Sequence, residues 1–490
     1  MRKILLILLF PYVSYAQVQI GQDIDGEAQG DESGTGVSIS SDGSIVAIGA
    51  PLNDGNGSNS GHVRVYENQS GEWIQIGQDI DGEATSDGSG RSISLSADGN
   101  IVAVGALGND ENGSASGHVR IYENQEGEWI QIGEDIDGEA PLDFFGRSVS
   151  LSSDGNVVAI GAIENTVNGT STGYARIHRN QDGEWVQIGQ NIFGEAVDDS
   201  FGCSISLSSD GNIVAVGASN NDENGDFSGH VRVFRNEDDV WVQIGEDIDG
   251  EAAGDQSGRS ISLSSDGNMI AIGARGNDGN GLSSGHVRVY KNQDNVWEQV
   301  GDDINGEVFG DFSGNVSLSS NGNIVVIGAF GNDANGTNSG HVRIYENQGG
   351  TWLQLGIDID GEGSFNRSGE NLSLSSDGST VAIAAFFNNG NGGNGFDSGH
   401  VRVYDISTLL SIEDIPTFSF TLYPNPSSTQ VTIQLKQNEI LEKTTIYNIL
   451  GQPVKTTTGT IINTSELSQG LYVIEVITRE GKSSQKLIVR

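Results

Sequence analysis

A single cysteine, Cys203, stands in the 490 residues, so no intrachain disulfide can form, and at the head of a strand it reads as a small buried residue rather than a reactive thiol. Long apolar runs are missing too: after the first sixteen residues nothing approaches the roughly 18 apolar positions that a membrane helix needs, and no membrane-spanning helix is expected. No stretch repeats with helical period. The GxSxG, HExxH and phosphate-loop patterns do not occur, so no catalytic role is assigned and the chain is not read as an enzyme. Positive charge is scarce, with 24 Lys and Arg against 67 Asp and Glu and a formal charge of -43. The imbalance is uneven: residues 417–490 hold seven basic and five acidic residues, while residues 17–416 hold 15 basic and 62 acidic ones, a formal charge of -47. Such a surface repels nucleic acid and anionic lipid.

What the chain has in abundance is itself. SGHVRVYENQ at 60–69 returns as SGHVRIYENQ at 116–125 and SGHVRVYKNQ at 284–293. The phrase places a glycine at Gly61, Gly117, Gly173, Gly229, Gly285, Gly340 and Gly399, in steps of 56, 56, 56, 56, 55 and 59 residues. A second phrase, QIGQDIDGE or a variant, starts at Gln19, Gln75, Gln131, Gln187, Gln243, Gln299 and Gln354. The short step reflects one residue missing from GNVSLSSNGN, and the long one three residues added in AFFNNGNGGNGFDSGH. Self-similarity at such a period marks a repeat architecture.

Within one repeat, SISLS, IVAVGA, HVRIY and WIQIGEDI read as four strands divided by Asp-Gly, Asn-Gly and Ser-Gly turns, with Asp98-Gly99 suited to a two-residue hairpin. One four-stranded meander cannot bury both faces of the apolar IVAVGA strand, whereas sheets stacked around an axis can. Small residues in the first two strands (Ser92, Ser94, Ala103, Gly105, Ala106) suit the crowding near that axis. The expected fold is therefore all-β: a seven-bladed β-propeller over residues 17–405. Closure is expected at the chain start. Outer strands carry Trp73, Trp129, Trp185, Trp241, Trp297 and Trp352, and the seventh repeat ends at VRVYD without one. VQIGQDI at 18–24, with Gln17 at the Trp position, supplies the spare outer strand. Before it, MRKILLILLFPYVSYAQ has the basic start, apolar centre and small-residue end of a signal peptide (1–16), cut between Ala16 and Gln17.

FGRSVSLSSDGNVVAIGA (145–162) and FGCSISLSSDGNIVAVGA (201–218) resemble bacterial FG-GAP repeats, relatives of the propeller repeats of integrin α-subunits. Only Phe145-Gly146 and Phe201-Gly202 keep the Phe-Gly pair. The long acidic DxDxDG loop of the calcium-binding members is replaced here by SSDGN or SADGN, so that calcium loop is not carried over. FTLYPNPSSTQVTIQL (420–435), TTIYNILGQPVK (444–455), LSQGLYVIEV (467–476) and KLIVR (486–490) are similar to the C-terminal sorting domain of the type IX secretion system. The resemblance implies a small C-terminal β-sandwich over 417–490 after a linker at 406–416. It further implies recognition by the type IX machinery, and release from, or display on, a Gram-negative outer membrane.

Acidic loops gather at one end of the blades. Asp79, Asp81 and Glu83, with Asp110 from the next loop, offer the oxygen donors that calcium prefers; the competing reading is solvated acidic loops. The six histidines of the SGH phrase lie one to a blade, cannot converge on one ion, and read as structural. Strand arginines, one per blade (Arg64, Arg120, Arg176, Arg232, Arg288, Arg343, Arg402), are expected to pair with carboxylates or carbonyls between blades. Because whatever every blade shares is scaffold, a unique site is expected in the departures. Phe144, Phe193 and Tyr174 (in place of His) on blades three and four are the candidate ligand surface, followed by Phe386 and Phe387 of blade seven; alternatively they pack their own loops. The function expected is an extracellular binding or adhesion module for a glycan or a protein. The alternatives are a glycan-active enzyme with axial carboxylates, recognisable by a pair of them at the channel mouth, and a purely structural surface component.

Overall fold

The computed structural model describes residues 17–164, 171–389, 396–410, 420–435, 440–448, 453–478 and 481–490. The expected signal peptide with Ala16, the middle of the extended loop of the seventh repeat, and residues 411–416 of the expected linker lie outside the described residues. Two compact units are present, Met1–Leu410 and Ser411–Arg490.

Seven antiparallel sheets make up the first unit among the described residues. In the second repeat the strands run Ser92–Leu95, Ile101–Ala106, His118–Gln125 and Glu128–Gln131, from innermost to outermost, and Ile136–Asp137 pairs further along the third strand. Each innermost strand contacts those of the two flanking sheets, and Gly36–Ile39 touches both Ser92–Leu95 and Asn371–Leu374, so the cycle closes. The apolar core lies between sheets: Val63, Val65 and Ile80 of one pack against Ile93, Val102 and Trp129 of the next. Burial on both faces is why the second strand alternates so little between apolar and polar residues.

The repeated serines are the clamps of this ring. Ser38 Oγ accepts a hydrogen bond from Leu95 N at 3.0 Å, Ser94 Oγ from Leu151 N at 2.9 Å, and so on through Ser150, Ser206, Ser262 and Ser317 to Ser373, which accepts from Ile39 N at 3.2 Å. A second cycle joins the turns below: Ser41 N donates to Ala97 O, Ala97 N to Ser153 O, and the series returns through Ser376 N to Ser41 O. The turns themselves differ from the sequence expectation. Ser96 N bonds Ile101 O across a four-residue loop in which Gly99 alone has positive φ, while Asp98 accepts from Ser96 Oγ at 2.6 Å and from Asn100 N at 3.0 Å. The Asp-Gly pair is thus not a two-residue hairpin, because the aspartate holds its own turn.

Farther out, one arginine per interface, and at six of the seven interfaces one tryptophan, tie sheet to sheet. Trp129 Nε1 donates to Ile76 O at 2.9 Å, and Arg120 Nη2 donates to Asp81 O at 2.7 Å while its Nη1 lies 3.3 Å from Glu83. Gly61 (φ +75°) must be glycine, since a Cβ there would meet Ser89 O of the next sheet at 2.2 Å. The last sheet borrows its outer edge from the chain start: Val18 pairs with Asp405, Gln19 with Tyr404, Ile24 with Val401 and Asp25 with His400. Gln17, where the other sheets have Trp, donates its side-chain amide to Ile357 O. At the other end of this unit Ile406 is fully buried, and Leu409 and Leu410 of the short helix Ser407–Leu410 pack on the last interface. Residues 406–410 therefore belong to the propeller and not to a linker.

The second unit has a three-stranded sheet (Thr421–Tyr423, Gln430–Gln434, Ile461–Asn463) and a four-stranded one (Leu441–Tyr447, Pro453–Thr457, Gly470–Thr478, Gly481–Val489). Phe420, Val431, Ile446, Ile474 and Leu487 form their common core.

Candidate functional site

Three positions that vary from repeat to repeat lie where the chain enters the innermost strand or leaves the second. The residue after the strand-initiating glycine is Thr35, Arg91, Arg147, Cys203, Arg259, Asn315 or Glu370. Two residues before that glycine stand Glu32, Gly88, Phe144, Ser200, Gln256, Phe312 or Arg367, every one with φ between 51° and 62° or at 62° for the glycine. The residue after the second strand is Pro51, Leu107, Ile163, Ser219, Arg275, Phe330 or Phe386. A left-handed backbone held by so many non-glycine residues shows that the scaffold imposes the conformation and leaves the side chain free to vary.

All seven residues of the first column, with Glu32 and Arg367 of the second and Arg275 and Phe386 of the third, line a cavity of about 370 Å³ at the axis, to which all seven sheets contribute. Arg91, Arg147, Arg259, Arg275 and Arg367 surround it, with Glu32, Glu370, Asn371, Phe386 and Phe387 completing the wall. Arg275 Nε donates to Gln256 Oε1 at 2.9 Å, and Arg367 Nη1 lies 3.5 Å from Glu370 Oε2 with its guanidinium 4.9 Å from the Phe387 ring centre. Among the described residues the guanidinium groups of Arg91, Arg147 and Arg259 make no hydrogen bond or ion pair. Burial, reinforced by the charges of Arg259 and Arg91, pulls Arg147 down to about 10; burial and Arg259 do the same to Arg275. Both remain protonated at neutral pH. Burial likewise raises the carboxyls of Glu32 and Glu370 above their ordinary values. Cys203 is buried in the same wall, its Sγ 3.4 Å from Gly217 O.

The expected aromatic surface on blades three and four does not form. Tyr174 is fully buried, its hydroxyl donating to Asp143 Oδ2 at 3.0 Å and its ring 6.0 Å from that of Phe145. Phe193, 40% exposed, tilts against Tyr174 at 6.2 Å, and Phe144 is half-buried outside the cavity wall. Replacing the repeated histidine by tyrosine fills the blade from within. Phe386 and Phe387, 4.5 Å apart, do reach the cavity. Arg91, Arg147 and Arg259 escape the sequence reading because GRS occurs in three repeats and reads as scaffold; the usable signal is the column that alternates between Arg, Thr, Cys, Asn and Glu.

Asp79, Asp81, Glu83 and Asp110 do not gather around one point. Asp79 lies 3.6 Å from His62 Nδ1, alongside Glu27, whereas Glu83 lies 3.9 Å from His118 Nδ1 at the next interface. Asp81 offers its carbonyl to Arg120, and Asp110 accepts from Ala115 N at 2.7 Å within its own loop. The metal-ligating types that come together are groups of one histidine with two or three carboxylates, such as Glu111, His118, Asp135 and Asp137. Their mixed nitrogen and oxygen donors differ from the all-oxygen shell of calcium. The histidines face carboxylates: Asp135 Oδ2 is 3.2 Å from His118 Nδ1.

Residues 421–490 match the family model of the secretion system C-terminal sorting domain, and residues 24–66 and 248–290 match that of the FG-GAP repeat. No curated relative matches the chain. Among solved structures it is similar to Kuenenia stuttgartiensis hydrazine synthase (13% identity, TM-score 0.48, 76% of this chain and 96% of that one). It is also similar to a periplasmic gluconolactonase of Pseudomonas aeruginosa (17%, 0.46, 68% and 86%) and to a putative 6-phosphogluconolactonase of Bacteroides uniformis (14%, 0.45, 67% and 85%). With repeat and tail both matched, the chain carries FG-GAP repeats at residues 24–66 and 248–290 and a secretion system C-terminal sorting domain at 421–490, which indicates that it is secreted or attached to the outer surface of the cell.

Proposed function

We propose that this exported propeller is a binding module that holds an extracellular ligand, a glycan or a segment of a protein, in the axial cavity. One observation carries the reading: variable side chains from all seven repeats meet in one concave site of about 370 Å³, within the size range of small-ligand pockets. Identical blades cannot discriminate, and these positions give the axial cavity a lining that changes around the ring. A glycan-array and peptide-array screen of the chain from Gln17 onward tests it. Binding is expected to fall at least tenfold in Phe386→Ala/Phe387→Ala and to persist in Phe193→Ala, which alters the outer surface alone. The opposite ranking moves the site to blades three and four.

A second reading has its own observation. Glu32 and Glu370 both line the cavity, and burial raises the carboxyl of each; glycan cleavage needs one such raised carboxyl as general acid beside a second carboxylate that stays ionised. Release of reducing ends from a bound polysaccharide, abolished in Glu370→Gln, would establish the enzyme; unchanged polymer after prolonged incubation favours the binding module.

A further inference from the structure

Building on the axial binding reading, we propose that the cavity recognises a compact anionic saccharide, its carboxylate or sulfate group held by Arg147, Arg259 and Arg91 and its apolar face resting on Phe386 and Phe387.

The argument begins with scarcity. Residues 17–416 contain only fifteen basic residues, and seven of them are the strand arginines that stitch sheet to sheet. Five of the remaining eight line this one cavity. Among the described residues, three of those five have no hydrogen-bond or ion-pair partner, in a chain with 62 acidic residues over 17–416 to draw on. Mutual repulsion and desolvation make such an arrangement costly to the fold, so its gain lies outside the fold. Two carboxylates, Glu32 and Glu370, leave an excess of three positive charges among the lining residues.

Guanidinium groups bind carboxylate and sulfate through paired, charge-assisted hydrogen bonds that a partly enclosed site strengthens. The tilted Phe386 and Phe387 rings supply apolar area beside them. An anionic group joined to a ring with an apolar face is the chemistry of a uronic acid or a sulfated sugar. The exterior adds a size limit. The formal charge of -47 over residues 17–416 repels long polyanions, so a single acidic residue or chain end gains the cavity while an extended polyanion is held off. An acidic peptide would also satisfy the arginines, but it offers the phenylalanines no sugar face.

The test uses the chain from Gln17 onward, Arg147→Gln/Arg259→Gln, and the control Arg179→Gln on the outer part of a blade. Tri-galacturonic acid, a singly sulfated galactose trisaccharide, neutral galactotriose and an acidic tripeptide are titrated calorimetrically. Thermal melts compare 10 mM sodium sulfate with sodium chloride of equal ionic strength. At least one anionic trisaccharide is expected to bind tenfold or more tighter than galactotriose, and sulfate is expected to raise Tm beyond chloride. Both effects are expected to vanish in the double variant, which should melt no lower than the parent because it relieves like-charge repulsion, and to persist in Arg179→Gln. Whichever anionic trisaccharide binds identifies the group, carboxylate or sulfate. Equal binding of galactotriose, lost in Phe386→Ala/Phe387→Ala, overturns the anionic assignment and leaves axial binding standing. Preference for the tripeptide overturns the saccharide class, and an undiminished double variant overturns the arginine assignment.

Discussion

His178 occupies the position where five other repeats have tyrosine and one has phenylalanine. Burial, then the charge of Arg176, pulls its imidazole down to about 3, and its Nδ1 has no hydrogen-bond partner. The folded protein therefore holds it neutral, while the unfolded chain takes up a proton below about 6.5. Stability from this residue is present above that pH and is lost as the pH falls from about 6.5 toward 3. His178→Tyr restores the side chain of the other repeats. It should leave stability at pH 7 nearly unchanged and make the decline between pH 6 and 4.5 shallower by up to about 1.4 kcal/mol per pH unit. Urea unfolding at several pH values measures this, and parallel curves for variant and parent would contradict it. His62, His286, His341 and His400 are lowered for the same first reason, burial, and add to the acid sensitivity that remains.

At the level of elements, the decisive strand is the one that comes first. Val18–Gln19 and Ile24–Asp25 complete the last sheet, and Ile20 both packs in the interface between the last and first sheets and accepts from Trp73 Nε1 at 2.8 Å. Removing residues 17–25 should expose the edge of His400–Asp405, leave the Trp73 indole without its acceptor and lower Tm by several degrees or more. An unchanged melting curve would mean that this strand does not latch the ring. This closure was legible in advance, because six tryptophans serve seven repeats. The turn geometry was not: Asp98-Gly99 has hairpin chemistry, and the Ser96 and Asp98 side chains that widen the loop act through space. Tyr174 shows the same limit at closer range. In the sequence it is a departure, but only its neighbours Asp143, Phe145 and Phe193 make it filling rather than surface.

For the whole molecule, charge is the governing quantity. With -47 over the propeller, self-repulsion opposes the compact state, and screening should raise Tm steadily from 50 to 500 mM sodium chloride. At equal ionic strength, magnesium and calcium chloride should match that rise if the acidic loops are merely solvated. A larger shift with calcium alone would mark a bound ion, since a ligand that prefers the folded state stabilises it by mass action.

Repeats, ring closure and export tail were determined by the sequence itself, because each rests on local pattern: strand alternation, turn residues, a missing tryptophan and a run of tail motifs. The strand arginines were placed by the same logic, as side chains that every blade requires. The axial cavity was decided by the tertiary structure alone. Arg91, Arg147 and Arg259 stand 56 and 112 residues apart and resemble scaffold in any one repeat. Rotation of the sheets about one axis brings them face to face with Arg275, Arg367 and Glu370, and only there do their charges add.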